Sequence, residues 1–186
     1  DSPASLLDID LLHIDATDTV ADIGCGTGPM ATRFLSDGIR FERYYAVDID
    51  QPTLDLLAYI LQEAHPDRRD DIVLVATPPG AFDLPESSVD VAIVANIRLG
   101  MLPPGELPSA EQLAERDALI DSLWDAMAVG GRLHVFEPSV SFDGTFVSRK
   151  AIAEPYLSNR FVQLFDHSSQ KGSMTFYHLV FLKDHT

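Results

Sequence analysis

Short apolar runs alternate along this chain with segments whose apolar residues recur at helical spacing. Continuous apolar runs are typical of strands that are buried on both faces of a parallel sheet. The chain has five such runs: 20–23, 44–47, 72–76, 89–95 and 132–136. The segments between them predict three helices: 31–37, one from the N-cap Asp50 to about His65, and 110–129. Strands and helices that alternate in this way predict right-handed crossovers and a parallel sheet.

The C-terminal part follows a different pattern. A helix is predicted over 149–157, and two apolar segments, 161–165 and 175–182, flank a polar turn at 168–173. Two strands joined by a short polar turn form an antiparallel hairpin. The first segment, 2–14, predicts only a short helix or an irregular lead-in. The whole pattern predicts an α/β fold in which five parallel strands are followed by one antiparallel hairpin.

A glycine-rich turn separates the first strand from the first helix. Its sequence is Asp22-Ile23-Gly24-Cys25-Gly26-Thr27-Gly28. Glycines at alternate positions let the main chain adopt φ > 0 and remove the Cβ atoms that would keep a ligand away. The helix that follows directs free N–H groups at whatever binds there. The turn therefore predicts a ligand that lies directly against the main chain.

Two features of this turn distinguish it from a dinucleotide site. The dinucleotide fingerprint is G-x-G-x-x-G, but Pro29 occupies the position of its third glycine. Asp22 lies two residues before the first glycine, where a carboxylate would repel a pyrophosphate and attract an ammonium group. The spacing D-x-G-x-G-x-G therefore favours a nucleoside that carries an amino acid.

The turn and the order of strands resemble the class I S-adenosylmethionine (SAM)-dependent methyltransferases, and the resemblance extends over nearly the whole chain. It implies a three-layer Rossmann-like fold with strand order 3-2-1-4-5-7-6, SAM as the cofactor and S-adenosylhomocysteine (SAH) as the product. A single domain is expected over 1–186. Its parts would be a lead-in at 1–18, a cofactor-binding core at 19–137, and a C-terminal helix and hairpin at 138–186.

The resemblance also implies which residues bind the cofactor. Asp48 would bind the ribose hydroxyls, although a turn or capping aspartate is the alternative. In the family an acid after the third strand often contacts adenine, but Gly80 stands at that place here. The main chain around Gly80 and Ala81 would then hold adenine, with Phe82 stacked on it. The full expected set is Asp22, Gly24, Cys25, Gly26, Gly28, Asp48, Ile49, Gly80, Ala81 and Asn96.

The methyl acceptor should bind after the fourth and fifth strands, at the carboxyl edge of the sheet. Candidates for a catalytic role there are Asn96, Arg98 and Glu137. Arg98 could hold an anionic substrate or be an ordinary surface arginine. Glu137 and His178 are the candidates for a base, although His134 and His178 fit bonded core histidines better. The acids that would bind a metal are not grouped, so no metal site is predicted.

Charge narrows the range of partners. The chain has 29 acidic and 13 basic residues and a net charge of −16. Such a surface repels phosphate backbones, so no nucleic acid is expected to bind. No apolar run approaches the ~18 residues of a membrane span, and no signal pattern occurs, so no membrane partner is expected. The expected location is the cytoplasm, or outside it if a signal segment was removed before Asp1.

Three functions from different classes fit these observations. The first is an enzyme that methylates a small molecule. The second is a protein methyltransferase, and the third is a module that binds SAM or SAH without catalysis, because Gly80 replaces the acid and no base is evident. A dinucleotide oxidoreductase is a more distant alternative. Cys25, the only cysteine, cannot form an internal disulfide and is expected to pack rather than act as a nucleophile.

Overall fold

A computed structural model describes residues 9–78, 80–95, 109–140, 146–171 and 174–184. The strands are β1 (Thr19–Ile23), β2 (Arg43–Asp48), β3 (Ile72–Ala76), β4 (Val89–Ala95), β5 (Met127–Pro138), β6 (Val162–Lys171) and β7 (Met174–Leu182). The helices are α1 (Pro29–Ser36), α2 (Gln51–Ala64), α3 (Ala110–Ala126) and α4 (Arg149–Ser158), with short 3-10 turns at Ile9–Leu12 and Arg69–Asp71.

The strands form one seven-stranded sheet in the order β3-β2-β1-β4-β5-β7-β6. The first five strands are parallel, and β7 runs antiparallel to both β5 and β6. The predicted α/β class and the predicted strand order are therefore confirmed. Among the described helices, none is both long and apolar enough to cross a membrane.

Helices cover the sheet on both faces because side chains alternate along each strand. Val20 belongs to a buried cluster that includes Phe34 of α1 and Leu57 of α2. Its neighbour Ala21 belongs to the opposite cluster, which includes Leu123 of α3. This arrangement is the three-layer architecture that the alternating pattern predicts.

Polar side chains define the ends of several elements. Asp50 caps α2, since its carboxylate accepts a hydrogen bond from the main-chain N–H of Thr53 at 3.1 Å. Ser109 and Gln112 form a reciprocal capping box at the start of α3. Asp90 accepts a hydrogen bond from the N–H of Thr19 at 2.9 Å, at the amino end of β1. These bonds confirm the predicted cap at Asp50 and assign Asp90 to holding the strands together.

The structure corrects the predicted boundary between α3 and β5. The helix ends at Ala126 rather than at 129, because Met127 already pairs with Val89 in the sheet. Gly130 and Gly131 do not stop a helix but lie inside a long, irregular β5. A Cβ at Gly131 would lie 2.8 Å from the carbonyl oxygen of Ala128. Glycine is required there by close main-chain approach within a strand, which the sequence pattern did not distinguish from a helix end.

The hairpin is longer than predicted. Ser168 pairs with Tyr177 and Ser169 with Phe176, so most of the segment expected to be a turn belongs to β6. An edge strand that is exposed on both faces can be polar throughout its length, and polarity alone therefore does not mark a turn. In the lead-in, Leu12 of the first 3-10 turn is fully buried, while residues 1–8 lie outside the described part.

Candidate functional site

The glycine turn lies over the carboxyl ends of β1 and β2. Gly24, Gly26 and Gly28 have φ values of 70°, 54° and 73°, all in the left-handed region that glycine tolerates best. The N–H groups of Gly24 and Cys25 both donate to the carbonyl oxygen of Val47, at 2.8 and 3.0 Å. These two main-chain bonds fix the start of the turn to the end of β2.

Two glycines of the turn meet different surroundings. A Cβ at Gly26 would have no atom within 4 Å, whereas a Cβ at Gly28 would collide with the side chain of Leu57. Leu57 is fully buried in the cluster beneath α1 and α2. Gly28 is therefore required for packing against α2, and Gly26 leaves open space beside the turn.

Asp48 joins three elements through one carboxylate. One oxygen accepts a hydrogen bond from the N–H of Gly26 at 2.8 Å, and the other accepts from the N–H of Asp50 at 3.0 Å. The end of β2, the glycine turn and the start of α2 are held together in this way. Each carboxylate oxygen retains a further lone pair, so Asp48 can still accept hydrogen bonds from ligand hydroxyls.

A cleft of about 350 Å³ opens beside Asp48. Its lining residues are Ile23, Gly24, Val47, Asp48, Ile49, Thr77, Phe82 and Leu119. Sequence reasoning named Gly24, Asp48, Ile49 and Phe82 but missed Ile23, Val47, Thr77 and Leu119. Thr77 directly follows β3 and could have been found from that position, whereas Leu119 reaches the cleft from α3 through tertiary packing alone.

A larger cleft of about 600 Å³, lined by residues such as Arg40 and Arg68, lies at the other end of the sheet. Its residues precede β2 and β3, so it lies at the amino ends of the strands. Ligands of open parallel sheets bind outside the carboxyl ends. The smaller cleft is therefore the candidate site.

The segment after β3 is fixed to α3 by its main chain. The N–H of Phe82 donates to the hydroxyl of Ser122 at 2.8 Å, and that hydroxyl donates back to the carbonyl oxygen of Phe82 at 3.3 Å. The hydroxyl of Thr77 also donates to the carbonyl oxygen of Ala81. Gly80 has a φ of 90° and open space around its missing Cβ. Hydrogen bonds to Thr77 and Ser122 thus hold the main chain on which adenine is expected to lie, and Phe82 of this segment lines the cleft.

Asp22 lies beneath the turn and is 4% exposed. The hydroxyl of Tyr44 donates to its carboxylate at 2.9 Å. Burial raises the pKa of Asp22 to about 7; the Tyr44 hydrogen bond opposes this rise, and the charge of Asp48 adds to it. Burial also raises the pKa of the Cys25 thiol, with further contributions from Asp22 and Asp48. A thiol that stays protonated fits the expected packing role of Cys25.

The acceptor side of the cleft is described only in part, because Asn96 and Arg98 lie outside the described residues. Glu137 and His178 are 2% and 3% exposed. A ring nitrogen of His178 lies 3.0 Å from one of His134, and burial, followed by the charges of His178 and Arg132, lowers the pKa of His134 to about 3. His134 is therefore uncharged near neutral pH and is hydrogen-bonded to His178. Within the described residues, no three His, Cys, Asp or Glu side chains are grouped as a metal would require.

Comparison with known proteins decides the family. Residues 20–116, which span β1 to the first part of α3, match the model of a family described as methyltransferase domain. The chain belongs to this family. A search among curated protein sequences gives no significant match.

Solved structures share the fold of this methyltransferase at low sequence identity. The cyclase SpnF is 16% identical with a TM-score of 0.74, over 97% of this chain and 81% of SpnF. A SAM-dependent methyltransferase from Methanosarcina mazei is 13% identical with a TM-score of 0.72, over 96% and 98% of the two chains. A geranyl diphosphate methyltransferase in complex with SAM is 13% identical with a TM-score of 0.71, over 97% and 84%. These likenesses concern the fold.

Proposed function

We propose that this methyltransferase binds SAM in the cleft beside Asp48 and transfers its methyl group to a small-molecule acceptor. The observation that carries the proposal is the carboxylate of Asp48, which is bonded to the main chain of the glycine turn and borders an otherwise largely apolar cleft. A site that joins an acid, a bare main-chain turn and apolar walls suits the sugar, the amino acid and the base of this one cofactor.

Each part of SAM has a suitable group in this arrangement. The glycine turn would hold the methionine part, and Asp22 would favour its ammonium group. Asp48 would accept hydrogen bonds from the ribose hydroxyls. Adenine would lie between Ile49 and Phe82, next to the main chain that Ser122 positions. Ile49 is 72% exposed, and an apolar side chain with this exposure gains a contact when a flat ring covers it.

When bound, SAM supplies an electrophilic methyl group on a sulfonium. The protein then has to align the acceptor in line with that group and exclude water. A base is needed only for an acceptor that arrives protonated. The candidate bases among the described residues, Glu137 and His178, are both buried, which favours an acceptor that is already a nucleophile at neutral pH.

A small molecule is the favoured acceptor for two reasons. The net charge of −16 disfavours nucleic acid. A geranyl diphosphate methyltransferase that shares the fold of this chain acts on a small molecule. A protein acceptor is the alternative, and transfer to peptides but not to small molecules would favour it.

Calorimetric titration with SAH tests the binding site. Asp48→Ala should weaken the affinity for SAH at least about tenfold, because the ribose hydroxyls lose their acceptor and Gly26 of the turn loses its hydrogen bond to Asp48. Asp50→Ala is the matched control, since it removes the cap of α2 and costs about 1 kcal/mol of stability without touching the cleft. Unchanged SAH affinity in Asp48→Ala would reject the site.

Release of SAH from SAM in the presence of candidate acceptors tests the activity. The proposal expects turnover with small acceptors that are nucleophilic at neutral pH without losing a proton, such as carboxylates, imidazoles or thioethers. SAM binding without turnover on any acceptor would instead favour a binding module. This assay is needed because the fold that the chain shares also occurs in a cyclase.

A further inference from the structure

We propose that Tyr44 is a positioning residue that holds the Asp22 carboxylate ready for the ammonium group of the cofactor and makes cofactor binding depend on pH. This inference rests on the proposed function, because it assumes that a ligand with an ammonium group binds at the glycine turn. It assigns a function to a side chain that does not itself reach the cleft.

The geometry is that of a rigid pair on neighbouring strands. Asp22 pairs with Ala46 across β1 and β2, and Tyr44 pairs with Val20, so the two side chains lie on the same face of the sheet. Tyr44 is fully buried. Its ring centroid lies 5.7 Å from that of Phe34, in an edge-on contact, and 5.5 Å from that of Phe41. Its ring is held by packing, so its hydroxyl can donate to Asp22 from one fixed direction.

The ionisable groups that face Asp22 leave its negative charge poorly compensated. They come from the two elements packed around it: Tyr44 and Asp48 on β2, and Cys25 in the glycine turn. Only Tyr44 favours the ionised form, through its hydrogen bond, whereas Asp48 opposes ionisation. An ammonium group that arrives at the turn would supply the missing positive charge, and would favour loss of the Asp22 proton.

Binding and ionisation are therefore linked. If only the ionised form of Asp22 binds the ammonium group well, the apparent dissociation constant rises as the ionised fraction falls. With a pKa of about 7, the affinity for SAH should increase about tenfold from pH 6 to pH 8. Loss of the Tyr44 hydroxyl would move this transition to higher pH, because the hydrogen bond that stabilises the carboxylate is lost.

The neighbouring residue provides a matched control. Tyr45 is also buried in β2, but it faces the opposite side of the sheet, in the cluster with α3. Tyr44→Phe and Tyr45→Phe each remove one phenolic hydroxyl from the same strand. Only the first change removes a hydrogen bond to Asp22.

The experiment is calorimetric titration of both variants and the parent chain at pH 6, 7 and 8 with two ligands. SAH carries the ammonium group, and 5′-methylthioadenosine lacks the amino-acid part. Tyr44→Phe should weaken the affinity for SAH about fivefold at pH 7 and less than about twofold at pH 8. The affinity of Tyr45→Phe for SAH should equal that of the parent chain at each pH. The affinity for 5′-methylthioadenosine should stay the same in all three proteins.

A second variant keeps the test decisive if Tyr44→Phe is poorly folded. Asp22→Asn cannot ionise, so its SAH affinity should not change between pH 6 and pH 8. Equal pH profiles of Tyr44→Phe and Tyr45→Phe, or a pH dependence that persists in Asp22→Asn, would overturn this inference while the proposed function stands. Failure of the parent chain to bind either ligand would overturn the proposed function itself.

Discussion

The two halves of the sheet each bury a titratable side chain, but the two groups have opposite chemistry. Asp22 in β1 is a buried acid whose pKa is raised to about 7. His134 in β5 is a buried base whose pKa is lowered to about 3. The acid has an aromatic hydroxyl as its donor, whereas the histidine is bonded to a second histidine on β7.

The two buried groups differ in how well their surroundings complement them. The His134–His178 pair is joined by one hydrogen bond between ring nitrogens, and burial disfavours a charge on His134. Asp22 lies beside another carboxylate and beneath a turn with open main chain, so its ionised form is incomplete without a cation. A buried charge that is unfavourable alone, and that lies close to a residue of the cleft as Asp22 does to Asp48, is a candidate for function.

Among the changes that test the comparison between Asp22 and His134, Asp22→Asn has the largest expected effect. The folded pKa of Asp22 is raised, so the stability that its proton confers is present below about pH 4 and is lost as pH rises through 7. Relative to Asp22→Asn, the ligand-free parent chain should therefore lose on the order of 4 kcal/mol between pH 4 and pH 8. Urea unfolding followed by the fluorescence of the single tryptophan, Trp124, measures this difference. Parallel pH curves for the two proteins would contradict it.

Gly28→Val and Gly26→Val compare two positions of the glycine turn, beside Asp22. Both residues have left-handed φ values, which cost a side chain about 1–2 kcal/mol. Only Gly28→Val also displaces buried Leu57, for a total loss of about 3 kcal/mol of unfolding free energy. Gly26→Val should remain folded and fail to bind SAH. Thermal unfolding and calorimetry distinguish the two, and equal stability losses would show that both glycines serve packing.

His134→Asn tests the buried histidine in β5 and has the smallest expected effect on stability. The folded pKa of His134 is lowered, so the neutral ring of His134 stabilises the fold above pH 6.5 and this stability is lost as pH falls towards 3. The parent chain should lose about 2 kcal/mol through this group between pH 8 and pH 5. Asparagine can keep the hydrogen bond to His178 without titrating, so the acid side of its stability curve should be shallower. SAH affinity at pH 8 should stay unchanged, and a large loss would place the pair in the site.

The fold was predictable because its signals are local. Continuous apolar runs, helical spacing and the cap at Asp50 each depend on a few neighbouring residues. The predicted boundaries were wrong where the same residue type is common in two kinds of structure. Gly130 and Gly131 suggested the end of a helix but belong to β5, and the serines of β6 suggested a turn but belong to an edge strand.

The sequence by itself determined the chain's class and the position of the glycine turn, because glycine spacing and an acid at the end of a strand act through the main chain nearby. Only the tertiary structure decided how the site is completed. Leu119 and Ser122 reach it from α3, and Tyr44 bonds Asp22 from a neighbouring strand. Such partners are distant along the chain, and the packing of helices and strands brings them together.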